Sequence, residues 1–256
     1  MIHPTAIIDP KAQIDTDVEI GPFSVIGPHV RIGRGTRVGP HAVIDGWTEI
    51  GADNQIFHFA AVGGIPQDLK YKGEETWLRI GDRNIIREFA TLQPGTVTGI
   101  GETVIGNDNL FMAYCHVAHD CVVANRVIMA NGSTLAGHVT VESFAILGGL
   151  SAVHQFTRVG ESAMLSGGAM VGQDVPPYTV AAGDRARLRG LNLVGLRRRG
   201  MSEATIAHIK KAYKLLVLSK LRLADALERI RTELPMDPEI LHFVEFVEQS
   251  ERGICR

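Results

Sequence analysis

Residues Ile105 to Val171 read IGNDNLFMAYCHVAHDCVVANRVIMANGSTLAGHVTVESFAILGGLSAVHQFTRVGESAMLSGGAMV. Every sixth residue of this stretch, from Ile105, Phe111 and Val117 to Leu165 and Val171, is apolar, twelve times without a break. Two places ahead of most of these stands a small or thin residue, such as Cys115, Cys121, Ser133, Ala145 or Ser151. Glycine often follows the beat, as at Gly106, Gly148 and Gly160. A helix repeats about every 3.6 residues and a strand every second one, so a fixed period of six is neither alone. It predicts a solenoid of very short strands with one turn per hexad, a parallel β-helix.

Outward from this stretch, the same beat runs from Ile2 through Ile8 and Ile14 to Ile56 and Val62. It lapses after Val62, resumes at Ile80, Ile86 and Leu92, and slips by one residue before Ile105. If three hexads close one triangular coil, residues eighteen apart stack about 4.8 Å from one another, the spacing of paired strands. The hand of the coil is not encoded in the repeat. Two interruptions stand out. Residues 63–79 are polar, charged and aromatic, the pattern of a functional loop, and Asp68 and Lys70 in it suit a polar ligand. Residues 93–103, QPGTVTGIGET, form either a second projecting loop or a register correction.

Pro176 and Pro177 cannot continue a hydrogen-bonded ladder, and beyond them the pattern turns helical. Ser202 is the expected N-cap before Ile206, Ile209 and Tyr213. A second helix carries Leu223, Leu227, Ile230 and Leu234, and a third begins at Asp237-Pro238. The expected division is a solenoid over 1–188 and a small α-helical domain over 189–256. The helices are expected to cover the open end of the solenoid, protecting a strand edge.

Composition narrows the class. The chain has 256 residues, 45% hydrophobic but only 6% aromatic, as a slim prism requires. No apolar run approaches the ~20 residues of a membrane span. The N-terminus has no signal-peptide pattern, and three cysteines do not make a disulfide framework, so a cytoplasmic protein is expected. Cys115 and Cys121 fall on core-filling positions.

Eighteen-residue stacking gathers scattered histidines. It sets Gly137 over His119, His138 over Asp120, and Ala136 under His154, so His116, His119, His138 and His154 converge with Asp120 and Gln155. Two chemistries fit. Imidazoles from adjacent coils suit a zinc ion. Alternatively, one neutral imidazole oriented by a carboxylate is a general base, with His119-Asp120 as the pair and the Gly137 N–H as oxyanion donor. No Ser or Cys is placed as a nucleophile, which favours direct attack by a substrate hydroxyl. A second signal is charge. Between Arg185 and Arg222 stand eleven Lys or Arg and one acid, Glu203, although the whole chain carries −2. That asymmetry implies an anionic partner, a diphosphate or an acidic carrier protein. Neither aromatic interleaving nor a nucleic-acid motif accompanies it, so nucleic acid is not the expected partner.

The segments 113–139 (AYCHVAHDCVVANRVIMANGSTLAGHV), 148–160 (GGLSAVHQFTRVG), 63–74 (GGIPQDLKYKGE), 171–178 (VGQDVPPY) and 190–200 (GLNLVGLRRRG) together resemble the UDP-N-acetylglucosamine O-acyltransferases of lipid A biosynthesis, over essentially the whole chain. The resemblance implies a left-handed β-helix with a helical C-terminal domain, forming a homotrimer with active sites between subunits. It implies transfer of an (R)-3-hydroxyacyl group from acyl carrier protein to the glucosamine 3-hydroxyl of UDP-N-acetylglucosamine, without metal or other cofactor. His119 matches the general base, Asp120 its partner and Gly137 the oxyanion donor. His116, His138, His154 and Gln155 match contacts to sugar and phosphates, Asp68 and Lys70 the loop that holds the sugar, and Asn192, Arg198 and Arg199 the uridine-diphosphate grip.

Departures carry information. Many members read HRGT where this chain has Gln93-Pro94-Gly95-Thr96, a change beside the acceptor that allows a 3-amino sugar as the alternative acceptor. Val194 stands where an acidic residue is common. Gly167, with Met164 and Met170 near it, falls where the family measures acyl length, and a glycine there favours a longer chain. Three other readings compete. The sibling N-acyltransferase needs an N-terminal uridine-binding domain, for which a beat beginning at Ile2 leaves no room. A γ-type carbonic anhydrase would share the solenoid and a histidine zinc site, and a non-catalytic binding solenoid would leave the histidines unexplained.

Overall fold

The structure, a computed structural model, describes residues 1–256. Its hexads fold as the beat requires. Two-residue strands such as His116–Val117 and Thr134–Leu135 send the beat residue inward and the preceding residue outward. Three sheets result, of nine, eight and ten strands, and up to the closing strands each pairs in parallel with the third one along the chain. The first face begins at Ile7–Ile8, the second at Gln13–Ile14 and the third at Glu19–Ile20, and the chain visits them in that order on every coil.

The beat residues fill the axis of the prism, including Ile44, Leu92, Phe111, Met129 and Leu147, none of which is exposed. Cys115 and Cys121 are buried in the same core, where burial raises the first thiol and pushes the second up to about 12. Neither is a nucleophile at neutral pH. The oxygens of three buried asparagine side chains accept along a ladder. Asn54 accepts from the Asn84 backbone at 2.9 Å, Asn84 from that of Asn109 at 3.0 Å, and Asn109 from that of Val127 at 2.7 Å.

Register explains both interruptions. Val43 pairs with Ala61 eighteen residues on, but Ala61 pairs with Thr91 and Thr91 with His116. Those two coils are therefore longer by twelve and seven residues. Both insertions leave the first face and return on the second, after Val62 and after Leu92. The next three crossings of that corner carry His119-Asp120, Gly137-His138 and Gln155-Phe156.

The prism closes with Thr179–Ala182, onto which Arg187–Leu191 folds back antiparallel. Four helices follow: α1 (Leu193–Arg198), α2 (Glu203–Tyr213), α3 (Leu223–Glu233) and α4 (Pro238–Glu248), with a π-helical turn at Lys214–Leu218 extending α2. Ser202 caps α2 by accepting from the Thr205 N–H at 3.0 Å. Asp237 precedes Pro238 as expected, but its carboxylate takes a hydrogen bond from His208 at 2.6 Å instead of capping α4. α1 has no counterpart in the sequence reading. The helices have their own core, with Tyr178, Ile206, Ile230 and Phe243 buried in it. They grip the end of the prism: Asp174 pairs with Ile254 of the tail and accepts from Ser250 at 2.7 Å, and Arg158 stacks 4.2 Å from the Phe246 ring.

Candidate active site

The corner between first and second faces turns through residues in the left-handed region: Asp120, His138 and Phe156 have φ of +59°, +62° and +63°. Asp and His tolerate this better than most residues. Stacking then follows the coil. The His138 N–H donates to the His119 carbonyl at 3.0 Å, the His138 ring stacks on Phe156 at 4.4 Å, and its edge meets the His119 ring at 5.1 Å.

Asp120 is the most heavily bonded side chain of the corner. It accepts from His119 Nδ1–H at 2.8 Å, from the Thr96 hydroxyl at 2.7 Å, and from the backbone N–H groups of Thr96, Ile100 and Gly101 at 3.0 to 3.2 Å. Burial alone would raise its pKa, but the bonds from His119 and Thr96 outweigh it and hold the carboxyl below its ordinary range. An ionised Asp120 keeps the proton of His119 on Nδ1 and leaves Nε2 free to accept. Gly137 lies against that nitrogen. A Cβ there would stand 2.7 Å from Nε2 and 2.6 Å from Cε1, so no side chain fits. The Gly137 N–H has no acceptor within the chain.

A cleft of about 810 Å³ opens over this dyad, lined by Gln67, Asp68, Lys70, His119, His138 and Gln155 among others. The first insertion thus bends over the histidines, as the shared corner dictates, and an Asx turn from Lys70 N–H to Asp68 at 2.9 Å shapes its tip. Burial lowers the pKa of His138 despite the Asp120 charge, and burial followed by the charge of His119 lowers that of His116. Both rings are neutral hydrogen-bonding groups at neutral pH.

The remaining candidates separate. His116 lies on the first face, bonded to Thr91 Oγ1 at 2.7 Å, not on the corner itself. His154 is exposed and donates from Nδ1 to the Gln155 carbonyl at 3.1 Å. Gln93 is buried behind the loop, its Oε1 accepting from Gln67 N–H at 3.1 Å and its Nε2 donating to the Ile65 carbonyl at 3.3 Å. It fastens the loop, and it does not line the cleft. Asn192, Arg198 and Arg199 lie in and beside α1, at the corner between second and third faces. Asn192 caps α1 and donates to the Ser162 carbonyl at 2.9 Å. Arg199 pairs with Glu161, donates to Ser162 Oγ at 3.0 Å and stacks 4.0 Å from the Phe144 ring. Within one chain these three are not part of the histidine cleft. Met164 on the third face and Met170 on the first flank the corner that holds Gly167. Nothing closer than 3.4 Å would obstruct a Cβ on Gly167, so the fold does not demand glycine there.

His119, Asp120 and His138 offer ligand atoms within 4.8 Å of one another. Asp120 is saturated with donors, however, and its bond to His119 would have to be given up for a cation to enter. The network suits a base and its orienting carboxylate better than a metal centre. Sequence reasoning did not find Thr96, Ile100 and Gly101. Their place is fixed only by the register, in which the second insertion leaves the prism at the corner where His119 arrives.

Comparison with known proteins places the whole chain in one family. The signature described as Udp N-acetylglucosamine O-acyltransferase, Domain 2, matches residues 174–255, and the bacterial transferase hexapeptide signature matches residues 11–46 and 102–137. The chain is 57% identical to the acyl-(acyl-carrier-protein)–UDP-N-acetylglucosamine O-acyltransferase of Thermodesulfovibrio yellowstonii and 54% identical to that of Janthinobacterium sp. (strain Marseille), in each case over 100% of this chain and 99% of the relative. The solved UDP-N-acetylglucosamine acyltransferase of Bacteroides fragilis superposes with a TM-score of 0.98 at 43% identity, over 100% of both chains. That of Acinetobacter baumannii does so with 0.97 at 48%, over 100% of this chain and 99% of the other. The coil is accordingly left-handed, and the chain belongs to the acyl-(acyl-carrier-protein)–UDP-N-acetylglucosamine O-acyltransferase family.

Proposed function

We infer that His119 is the general base of the family's reaction, which in this chain moves an acyl group from acyl carrier protein to an oxygen of UDP-N-acetylglucosamine in lipid A synthesis. The observation that carries this reading is the His119–Asp120 bond, which holds Nδ1 on the carboxylate and leaves Nε2 available at the mouth of the cleft. The acceptor is the glucosamine 3-hydroxyl and the donor an (R)-3-hydroxyacyl thioester. Nε2 takes the hydroxyl proton as the oxygen attacks the thioester carbonyl. The Gly137 N–H receives the developing oxyanion, a donor of the kind worth about 3 kcal/mol of barrier. Collapse breaks the C–S bond, and the imidazolium returns its proton to the departing thiolate. Asp68, Lys70, His138 and Gln155 face the same cleft and position the sugar. His116 and His154 flank it.

The faces of the prism support a homotrimer. The second face carries a charged ladder, Arg31 with Glu49 at 2.7 Å and Arg79 with Glu102 at 2.8 Å, suited to water. The third face instead presents Ile85, Leu110, Ile128 and Ile146, and the first presents Val25, Val43 and Ala61. Between them an exposed column of stacked rings runs through Phe23, His41, Phe59, Phe89 and Tyr114, at 4.9 to 5.2 Å spacing. Three prisms packed first face to third face would bury this column on their common axis. His119 of one copy would then lie beside Asn192, Arg198 and Arg199 of the next, which would grip the nucleotide diphosphate. From His116 the outward residues of the first face are Thr134, Ala152 and Met170, a strip of small side chains ending in a methionine. Three strand spacings make it about 14 Å long, which suits an acyl chain that ends among Met164, Gly167 and Met170. The open position at Gly167 favours a long one.

Acyl carrier protein is acidic, and exposed Arg185, Arg187, Arg189, Lys211, Lys214 and Lys220 form no ion pair in the chain, so this segment is its landing surface. No helix is long and apolar enough to cross a membrane, and both substrates are water-soluble, which supports a cytoplasmic enzyme. Co-expression of His119→Ala with Arg199→Ala tests the shared site. Mixed trimers should recover turnover that neither variant has alone, because one interface then keeps both residues. No recovery would place base and nucleotide grip within one chain and sink the arrangement.

A further inference from the structure

We propose that Thr96 is a positioning residue for the acyl transfer: with the backbone of residues 96–101 it cages the Asp120 carboxylate and, through it, sets the orientation and proton affinity of His119. The inference rests on the reading of His119 as the base. The cage is built on geometry. Thr96 is 1% exposed and Asp120 3%, so both are shut away from solvent. The Thr96 hydroxyl reaches Asp120 Oδ2 at 2.7 Å, the same oxygen that receives His119 Nδ1–H at 2.8 Å. The Thr96 N–H straddles both oxygens at 3.1 and 3.2 Å, while those of Ile100 and Gly101 take Oδ1 at 3.0 and 3.2 Å. Since the Thr96 proton is committed to Asp120, the Thr98 hydroxyl at 3.2 Å donates to Thr96 and fixes its rotamer. Gly99 passes so close that a Cβ would land on the Asp120 carboxyl group. The loop therefore closes on the carboxylate, and Gln93 at its start ties the same segment to the sugar loop.

The chemistry follows from two donors sharing one oxygen. Each draws off part of the charge on Oδ2, so the Thr96 hydroxyl moderates how strongly Asp120 stabilises a protonated His119. Without it, His119 holds its proton more tightly and its ring loses one constraint. The other ionisable groups facing His119 are His138 and His116 on neighbouring strands and corners, and Asp68 and Lys70 across the cleft. None of them is hydrogen-bonded to Thr96.

The test is a nitrogen-15 NMR titration of His119 in the full-length protein, alongside the pH profile of turnover, for Thr96→Val and Thr96→Ser. Thr96→Val should move the His119 midpoint upward by about half a pH unit, carry the acid limb of the rate profile with it, and lower turnover by about tenfold. Thr96→Ser, which keeps the hydroxyl, should restore all three. Should Thr96→Val fail to fold, Thr98→Val on the exposed side takes its place and must move the midpoint in the same direction. An unmoved midpoint with turnover reduced equally at every pH would reduce Thr96 to packing and overturn the proposal. A moved midpoint in a protein that transfers no acyl group would instead overturn the reaction assigned to the site while the cage stood.

Discussion

Replacing Gly137 by alanine isolates the geometry of the base. The new methyl carbon would stand 2.6 Å from Cε1 and 2.7 Å from Nε2 of His119. Non-bonded carbons settle at about 3.5–4.0 Å, so the ring must retreat by about 1 Å or turn off Asp120. A displacement of about 1 Å in a reacting group costs roughly 10²-fold, and loss of the aligned Asp120 bond adds to it. We expect turnover to fall by about 10²- to 10³-fold, equivalent to about 3–4 kcal/mol of barrier. Stability should hardly change. Gly137 is outside the left-handed region, so alanine is allowed there and gains about 0.4–1 kcal/mol by restricting the unfolded chain. The ring that yields faces a cleft, not the core. Initial rates with saturating donor and acceptor, beside a thermal melt, decide the matter. Turnover within threefold of the parent protein would refute the placement of Nε2 as the base. A collapsed melting temperature would show Gly137 to be structural first.

Two further outcomes follow from contacts outside the dyad. Glu142 bonds His242 of α4 at 2.7 Å across the junction of prism and helices, and that bond, opposed by burial, raises the His242 pKa. A raised folded pKa gives stability that is complete below the unfolded midpoint of about 6.5 and is lost as pH rises through the folded one. The melting temperature should therefore drop, as pH rises above about 6.5, more in the parent protein than in His242→Gln, and parallel curves would remove the latch. Gln93→Leu should free the loop carrying Asp68 and Lys70, raising the KM for sugar nucleotide about tenfold while leaving kcat within about threefold. A changed preference between 3-hydroxyl and 3-amino acceptors would instead place Gln93 in contact with the sugar.

The six-residue beat made the prism legible because each coil obeys one steric rule: a bulky residue inside, a thin one at the crowded corner. Eighteen-residue arithmetic alone places Gly137 against His119 and His138 over Asp120. It misplaced His116 and His154 in detail because stacking fixes the coil and not the direction of a side chain. Counting stopped at Val62, where the arithmetic loses phase. Only the observed register, with Ala61 opposite Thr91 and Thr91 opposite His116, shows that both insertions spring from the histidine corner. The role of Gln93 was equally hidden, since an amide beside a sugar loop reads the same whether it touches sugar or loop. α1 escaped notice because six residues ending in consecutive arginines show no apolar period, and its cap, Asn192, was already accounted for as a ligand.

His119, held by Asp120, is proposed to deprotonate the sugar hydroxyl that attacks a carrier-bound acyl thioester. Mass spectrometry of the products tests it most directly. Purified protein and His119→Ala would each receive (R)-3-hydroxyacyl carrier proteins of several lengths, with UDP-N-acetylglucosamine and its 3-amino analogue in parallel. The parent protein should give an ester of the hydroxyl sugar, with a preference for a long chain, and a His119→Ala protein that still assembles and melts normally should lose product by at least about 10³-fold. Undiminished ester from His119→Ala, or product on the amine alone, would contradict it.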